Sequence, residues 1–298
     1  MPELNSDQLR TLLAVIDEGT FDAAAAKLHI TPSAVSQRIK ALEQAAGAVL
    51  VRRSTPIHAT EAGLVVLRHA RKLALLDLDL TRELSAAGRQ GGALSVPIAV
   101  NTDSLDTWFP DALTALVPRD DIVFDLRRED QEHTLELLRS GEVAAAVTSI
   151  AEPVQGAVSI PLGSMRYRAV CSPAYAEAQL GGVAHIRRIA DAPYVDFDRK
   201  DQLQHRLYHA VVGGEGRAPR HYAPTTTAFT RAIFGGLGWG LLPDQQCADA
   251  LASGELVRLG GARTVRVPLY WQRWAIASSV LDDVTDAVRA AARESLVR

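Results

Sequence analysis

The chain has little cysteine and no long apolar run, and both absences exclude broad classes of protein. It contains two cysteines, Cys171 and Cys247, and neither has metal-ligating residues spaced around it. Two isolated cysteines exclude a disulfide framework, so we expect both to be buried thiols in a reducing cytosol. A membrane-spanning helix needs about 18 or more consecutive apolar residues, and no uncharged segment meets that requirement.

Motifs that mark enzymes and exported proteins are also missing. No serine lies in a Gly-x-Ser-x-Gly turn, and the chain has no phosphate loop, dinucleotide fingerprint or paired metal-ligand motif. Ser104, Asp103 and the scattered histidines therefore do not indicate a hydrolase, and we expect neither catalysis nor a metal or organic cofactor. Residues 1–7 lack the basic start and apolar run of a signal peptide, which favours a cytoplasmic protein.

Residues 20–43 carry the clearest motif, which is two short helices joined by a tight turn. The second helix is predicted to begin at Pro32 after Thr31 as N-cap, because proline at the first helical position loses no hydrogen bond. Val35, Ile39 and Leu42 then form one apolar stripe. The polar residues off that stripe suit a DNA major groove, where glutamine and arginine read base edges and serine and lysine hold phosphates. These candidates are Thr31, Ser33, Ser36, Gln37, Arg38 and Lys40.

The flanking segments extend this motif to a winged helix-turn-helix domain over residues 1–63. Residues 21–28 give a supporting helix whose small alanines permit close crossing, and a further amphipathic helix precedes it. Residues 49–53 and 58–60 are predicted to form a two-stranded wing that carries Arg52 and Arg53 within reach of phosphates. The alternative is an ordinary three-helix bundle whose polar face is merely solvated.

The local net charge of this region also favours DNA binding, but only when it is taken together with the helix-turn-helix motif. Residues 27–53 contain five lysines or arginines and one acid, five minus one giving a local net charge of +4, whereas the whole chain has a net charge of −3. A weakly acidic protein with one basic patch suits a reader of specific DNA sites better than a general nucleic-acid coat. A surplus of four charges would by itself carry no such meaning.

A long helix is predicted from Glu61 to about Ala87, followed by a glycine-rich hinge, so that residues 64–92 form a linker. A helix this apolar needs a partner. We expect that partner to be a second copy of the chain, because a dimer also spaces two recognition helices for a two-fold DNA site. Packing onto the body of the same chain is the alternative. The apolar residues whose spacing resembles that of a coiled-coil seam are Val66, Ala70, Leu73, Leu80 and Leu84.

Beyond the hinge, residues 93–298 alternate strands with helices, which predicts a parallel sheet with crossover helices. Strands are predicted at 94–100, 122–126 and 143–147, and helices from 104 to about 117 and from 131 to 139. A body of about 200 residues with this alternation suits two α/β lobes around a cleft, because ligands bind at the carboxyl ends of parallel strands.

Polar residues at the predicted strand ends are candidates for a small-molecule site. Ser104 begins a predicted helix, whose free N–H groups attract a carboxylate. Asp103 beside it makes sense if the ligand is also cationic, and a basic amino acid satisfies both conditions. The simpler explanation is that Asp103 only caps the helix and that the other acids are solvated. Those acids are Glu129, Asp130, Asp196 and Asp198, and the residues expected to wall the pocket are Trp108 and Phe197.

Residues in both halves of the chain resemble LysR-type transcriptional regulators. The N-terminal matches are Ala24-Ala25, Leu28, residues 31–36, Ile39, Leu42-Glu43, Gly47, Leu50, Arg52 and residues 60–63. In the body the resemblance narrows to the branch that controls export of basic amino acids. Its matches are residues 101–105, Thr107-Trp108, Glu129-Asp130, residues 139–143, Ala146-Val147 and residues 269–273. Thr102 departs from this pattern, since a small alanine is expected there.

The resemblance implies an α/β protein with an N-terminal winged helix-turn-helix, a long linker helix and a two-lobed effector domain like a periplasmic binding protein. Such a regulator binds promoter DNA as a homodimer or homotetramer and engages RNA polymerase. L-lysine, L-arginine or L-histidine would shift the closure of the lobes and so control an exporter gene. Ser104 and neighbours such as Asn101 would hold the α-carboxylate, Asp103, Glu129 or Asp198 would meet an ammonium group, and Thr148, ending the lobe-crossing strand, would line the pocket.

Two rival functions share parts of this pattern. A solute-binding protein has the same two-lobed body, but the missing signal peptide and the basic N-terminal domain argue against it. A LysR-type regulator of a different small molecule is the second alternative, because selectivity depends on pocket residues such as Thr102.

Overall fold

The computed structural model describes residues 4–52, 54–84, 93–117, 121–128, 131–182, 186–213, 218–261 and 263–298. Arg53, Glu129 and the predicted hinge at 88–92 lie outside these ranges. The chain forms two compact units. The first comprises Met1–Asn101, Ala115–Ile160 and Trp271–Ala287, and the second comprises Thr102–Thr114, Pro161–Tyr270 and Val288–Arg298.

The N-terminal part of the first unit is a helical module with a small wing. Its elements are α1 (Ser6–Glu18), α2 (Phe21–Leu28), α3 (Pro32–Ala46), β1 (Val51–Arg52), β2 (His58–Ala59) and α4 (Glu61–Leu84). Local signals set the helix boundaries. Thr20 and Thr31 accept the N–H groups of the third following residue and so cap α2 and α3. The turn between them passes through His29, which has a left-handed φ of 53°.

The wing is fixed to the helices by short polar contacts. The Glu43 carboxylate on α3 accepts the N–H of Leu50 at 2.8 Å, immediately before β1. The first turn of α4 packs so closely on this segment that a Cβ at Gly63 would lie 2.0 Å from the Leu50 carbonyl oxygen. Only glycine permits this approach, so the position of the wing depends on Gly63.

The long helix packs against its own chain, contrary to part of the predicted dimer seam. Ala70 is buried in the core of the N-terminal module, and Val66 and Leu73 pack against that core. The prediction that these three residues face a second copy is therefore wrong, because the apolar stripe of α4 completes the module to which it is covalently joined. Leu80 is exposed, as are Val65 and Leu76.

The remainder of the chain alternates strands and helices as predicted. Its elements are β3 (Leu94–Val100), α5 (Thr102–Leu105), α6 (Phe109–Thr114), β4 (Ile122–Arg128), α7 (Gln131–Ser140), β5 (Ala145–Thr148), β6 (Ala157–Cys171), α8 (Pro173–Tyr175), β7 (Tyr194–Asp196), α9 (Leu203–Val212), β8 (Arg220–Tyr222), α10 (Thr226–Phe234), β9 (Gly240–Pro243), α11 (Asp244–Ser253), β10 (Val257–Arg258), β11 (Val265–Trp274) and α12 (Ser279–Ser295).

In the first unit, β3 pairs in parallel with both β4 and β5, which confirms the predicted parallel sheet. The part of β11 that belongs to this unit follows β5. Helix α4 also contacts this lobe, since the Arg68 guanidinium donates to the Arg139 carbonyl oxygen at the end of α7 at 2.7 Å. The Asp79 carboxylate accepts the N–H of Ser279 and caps α12. The linker helix is thus hydrogen-bonded to the lobe that follows it.

In the second unit, β6 pairs antiparallel with β9 and β10, and β7 pairs in parallel with β8.

The predicted helix from 104 to about 117 is wrong, because the chain forms the short helices α5 and α6 instead. Pro110 lacks the N–H that a helix interior needs and is tolerated only in a first turn, so a new helix begins at Phe109. The strand ending at Thr148 lies wholly in the first unit, and the strands with residues in both units are β6 and β11. None of the helices within the described ranges is both long and apolar enough to cross a membrane.

Candidate nucleic-acid interface and ligand site

The polar face of α3 is open to solvent, as a recognition helix requires. Val35, Ile39 and Leu42 are fully buried and hold the helix on the module. On the opposite side, the residues predicted to contact DNA divide into an exposed and a half-buried group. Thr31, Ser33, Gln37 and Lys40 are exposed, and Ser36 and Arg38 are half-buried.

The cations of this surface are not committed to strong internal ion pairs. Arg38 lies 3.8 Å from the Asp7 carboxylate, and both side chains are solvent-accessible, so the pair stabilises the fold only weakly. Arg52 is exposed on β1, opposite His58 in the wing. A phosphate can therefore compete for either arginine. Arg53, the other predicted phosphate contact in the wing, is not among the described residues.

The second candidate site begins at the short helix α5 in the second unit. Ser104 is fully buried and its hydroxyl has no hydrogen-bond partner among the described residues. Trp108 is also buried, and its indole N–H is equally unpaired within those ranges. Buried polar groups are normally paired, so two such groups four residues apart indicate a place for a polar ligand. Because α5 has a single turn, the predicted attraction by a long helix dipole does not apply.

Asp103 lies in the same turn and is held by a residue distant in sequence. The Tyr167 hydroxyl on β6 donates to its carboxylate at 2.6 Å. Burial raises the pKa of Asp103 to about 6, the hydrogen bond from Tyr167 opposes this rise, and the negative charges of Asp201 and Asp106 add to it. The carboxylate is therefore in a setting where an added positive charge is favourable.

Asp196, at the end of β7, is a second enclosed carboxylate. Its side chain is 0% exposed, and the Arg220 Nε lies 3.3 Å from one carboxylate oxygen. His205 Nε2 lies 3.9 Å from the same oxygen. Burial raises the pKa of Asp196 to about 7, with a further rise from Asp201 and, more weakly, Asp198, and a partial offset from Arg220.

The other predicted ligand residues occupy varied settings. Asn101 and Thr148 belong to the first unit, where the parallel register of Val100 with Val147 places them at neighbouring strand ends. Asn101 Oδ1 is buried without a partner in the described ranges, whereas the Thr148 hydroxyl accepts the N–H of Ile150. Phe197 packs on Phe229. Asp198 is exposed, and its carboxylate caps the N–H groups of the next turn. Glu129 is outside the described residues.

Comparison with known families accounts for nearly the whole chain. Residues 6–64 match the family of bacterial regulatory helix-turn-helix proteins of the lysR type, and residues 87–293 match the LysR substrate-binding domain.

The chain belongs to the LysR family.

Similar proteins narrow the comparison within the family. The chain is 44% identical over 294 residues to the lysine export transcriptional regulatory protein LysG of Corynebacterium glutamicum, covering 98% of this chain and 99% of that one. It superposes on the crystal structure of ArgP from Mycobacterium tuberculosis with a TM-score of 0.83 and 42% identity, with 99% of each chain covered. Full-length C. glutamicum LysG with bound effector Arg gives a TM-score of 0.74 and 43% identity, with 99% of this chain and 100% of that chain covered.

These findings confirm the predicted family and the predicted α/β fold class with its helix-turn-helix. Sequence reasoning missed two residues that contact the candidate ligand residues in this LysR-family protein, which are Tyr167 and Arg220. Tyr167 and Arg220 carry no local signal, because they meet their partners from other strands. Asp196 was predicted as one of the acids that follow the strand at Tyr194, and alternation along β7 places it on the same face as the buried Tyr194.

Proposed function

We propose that this LysR-family protein binds promoter DNA and controls an amino-acid exporter gene in response to a basic amino acid. L-arginine and L-lysine are the first candidates for the effector, with L-histidine next. LysG of C. glutamicum is named for lysine export, and one of its structures contains bound Arg. The proposal transfers this pairing of DNA binding and effector binding to the present chain.

One observation carries the effector half of the proposal. The second unit encloses two carboxylates, Asp103 and Asp196, and it also contains Ser104 and Trp108, whose buried polar atoms have no partner within the described residues. Enclosed carboxylates attract a cationic group, and the unpaired donors of Ser104 and Trp108 suit a carboxylate. A basic amino acid carries both.

The DNA half rests on the exposed polar face of α3 and on the wing. In this proposal Gln37 and Arg38 read base edges, while Ser33, Lys40 and Arg52 contact phosphates. The effector then acts by favouring one of two DNA-bound arrangements, which requires different affinities for the two states. RNA polymerase is the expected partner of the favoured arrangement.

A second copy of the chain is the expected partner of α4. Val65, Leu76 and Leu80 are exposed apolar residues, and their spacings of 11 and 4 place them on one side of the helix. This stripe replaces the seam expected from Val66, Ala70 and Leu73. A Leu76→Glu and Leu80→Glu double variant is expected to shift the protein towards monomer in light scattering, while unchanged mass would place the dimer contact elsewhere.

The DNA assignment is tested by promoter binding in a gel-shift assay with and without L-lysine. Replacing Arg38 or Gln37 with alanine is expected to weaken operator binding by about 1–3 kcal/mol each while the protein stays folded, because each removes a base contact. Arg10→Ala, which removes an exposed cation from α1 of the same module, is the matched control and is expected to change little. Unchanged operator affinity in Arg38→Ala and Gln37→Ala would refute α3 as the recognition helix.

The effector assignment is tested by filling the space beside Ser104. Ser104→Leu is expected to remove the response to L-lysine and L-arginine without loss of DNA binding, since the leucine side chain occupies the ligand's place and offers no donor. Calorimetry with each amino acid measures binding directly. A retained response would move the effector site elsewhere, and binding of only a non-basic metabolite by the unmodified chain would favour the alternative of a different effector.

A further inference from the structure

Asp196 has acceptor capacity that the protein does not use. Its side chain is 0% exposed, yet neither carboxylate oxygen accepts a hydrogen bond from any residue in the described ranges. Buried carboxylates normally accept several hydrogen bonds, and leaving these unmade is costly. Asp196 is therefore compensated by charge alone, and its hydrogen-bonding positions remain available to another donor.

The guanidinium that supplies this charge is held by other groups. Arg220 Nε donates to the Tyr194 hydroxyl at 2.7 Å, and Nη1 donates to the Tyr222 hydroxyl at 3.5 Å. The Arg220 guanidinium also lies 5.4 Å from the centre of the Tyr194 ring. With 30% of its side chain exposed, Arg220 covers Asp196 from the solvent side without forming the two-pronged hydrogen bonds of which arginine is capable.

The surrounding charges favour a second cation over the existing pair. Asp198 and Asp201 both act on Asp196 with negative charge. Two positive groups lie against Asp196, which are Arg220 and, when protonated, His205. Arg199 lies over the Tyr222 ring, 4.9 Å from its centre. A cation that replaced Arg220 at Asp196 would keep the charge of the site constant and add the missing hydrogen bonds.

We propose that Arg220 is an internal counter-ion that occupies Asp196 in the ligand-free protein and is displaced by the guanidinium or ammonium group of the effector. The inference rests on the proposed function, because it takes the effector to be a basic amino acid. A guanidinium places two N–H donors on both oxygens of Asp196, whereas an ammonium acts as a compact charge, so this exchange favours arginine over lysine. Displaced Arg220 loses its contact with Asp196 but keeps its solvent-facing position beside Tyr222.

The experiment replaces Arg220 and adds free molecules that carry a guanidinium or ammonium group. Calorimetry measures L-arginine and L-lysine binding to the full-length chain and to its Arg220→Ala and Arg220→Gln variants. Arg231→Ala, which removes an exposed arginine from α10 of the same unit, is the matched control. In parallel, thermal unfolding of each protein is followed with and without methylguanidinium at millimolar concentration, since this ion carries only the guanidinium part of the effector.

Displacement predicts a gain in affinity. Arg220→Ala is expected to bind L-arginine about tenfold more tightly, equivalent to about 1.4 kcal/mol, with a smaller gain for L-lysine. Methylguanidinium is expected to raise the melting temperature of Arg220→Ala and to leave the unmodified protein and Arg231→Ala unchanged. Arg220→Gln, which keeps a donor for the phenols and loses the charge, is expected to behave as Arg220→Ala does and serves where the alanine variant does not fold.

Other outcomes overturn the inference. Weaker arginine binding in both variants would mean that Arg220 holds the ligand directly. Unchanged binding without a methylguanidinium effect would mean that Asp196 does not meet the effector. Failure of the unmodified chain to bind any basic amino acid would overturn the proposed function instead, and the methylguanidinium measurement would still decide whether Asp196 accepts a free guanidinium in place of Arg220.

Discussion

The N-terminal module and the second unit each contain a buried acid paired with an arginine, and they treat the pair differently. In the module, Arg71 on α4 donates to the Asp17 carboxylate on α1 at 2.6 Å, with 5% and 16% of the two side chains exposed. In the second unit, Asp196 lies near Arg220 but accepts no hydrogen bond within the described residues. Arg71 Nε has no partner within the described residues, but the hydrogen bond from its Nη2 ties the two side chains to one arrangement. A buried carboxylate that accepts no hydrogen bond can instead gain stability from a ligand that donates to it.

The largest effect is expected from breaking the hydrogen-bonded pair of Arg71 and Asp17. Arg71→Met is expected to destabilise the module by about 3–5 kcal/mol, because it leaves the Asp17 carboxylate without its partner in a largely buried site. Arg10 and Asp77 form a second pair between the same two helices, with 59% and 48% of their side chains exposed. Arg10→Met is the matched control and is expected to cost about 0–1 kcal/mol. Urea denaturation measures both, and equal losses would contradict the distinction by burial.

A smaller change in stability, of opposite sign, is expected when the Asp196 carboxylate is removed. The pKa of Asp196 in the folded chain is about 7, above an unfolded value of about 3.9, so its ionisation costs stability as pH rises through that window. Asp196→Asn is therefore expected to stabilise the ligand-free protein by about 2 kcal/mol at about pH 8, while L-arginine no longer raises the melting temperature.

The control for this variant is Asp249→Asn, which removes an exposed carboxylate from α11 of the same unit. It is expected to change neither the unfolding free energy nor the response to arginine. Destabilisation by Asp196→Asn would show that the pair with Arg220 serves stability, and the contrast between the two regions would then disappear.

The smallest effect is a pH dependence of effector affinity. Asp103 and Asp196 have pKa values of about 6 and about 7 in the ligand-free chain, and a cationic ligand binds their ionised forms. Affinity for L-arginine is expected to rise from about pH 5 to about pH 8 and then level off, by up to about tenfold per unit where one carboxylate must lose its proton. Calorimetry across this range measures it, and Asp103→Asn should remove the lower part of the rise. A flat profile would exclude both carboxylates from cation binding.

Helix α3 could be predicted from sequence because its determinants are local. Thr31 caps α3 through the N–H of Ala34, three residues away, and the buried stripe of Val35, Ile39 and Leu42 repeats at helical spacing. The N-cap, the proline and the apolar period act within about two turns, so they have the same meaning in any surrounding structure. The wing was predicted from similarly short segments and is present at β1 and β2.

The partner of α4 could not be predicted because a stripe of apolar residues does not identify what covers it. Val66, Ala70 and Leu73 pack into the module of their own chain, and Arg68 and Asp79 hydrogen-bond to the following lobe. The sequence period gives the direction of a helix face. Which surface covers that face depends on contacts with segments that are distant in the sequence.

What the sequence by itself determined is the LysR-family architecture, with its helix-turn-helix, its parallel strands and the position of Asp103 and Ser104 after the first strand of the body. Tertiary structure decided which acids are enclosed. Tyr167 reaches Asp103 across 64 residues of chain and Arg220 covers Asp196 from a neighbouring strand. The physical reason is that caps and periodicity act over a few residues, whereas the desolvation of a carboxylate depends on every segment that folds around it.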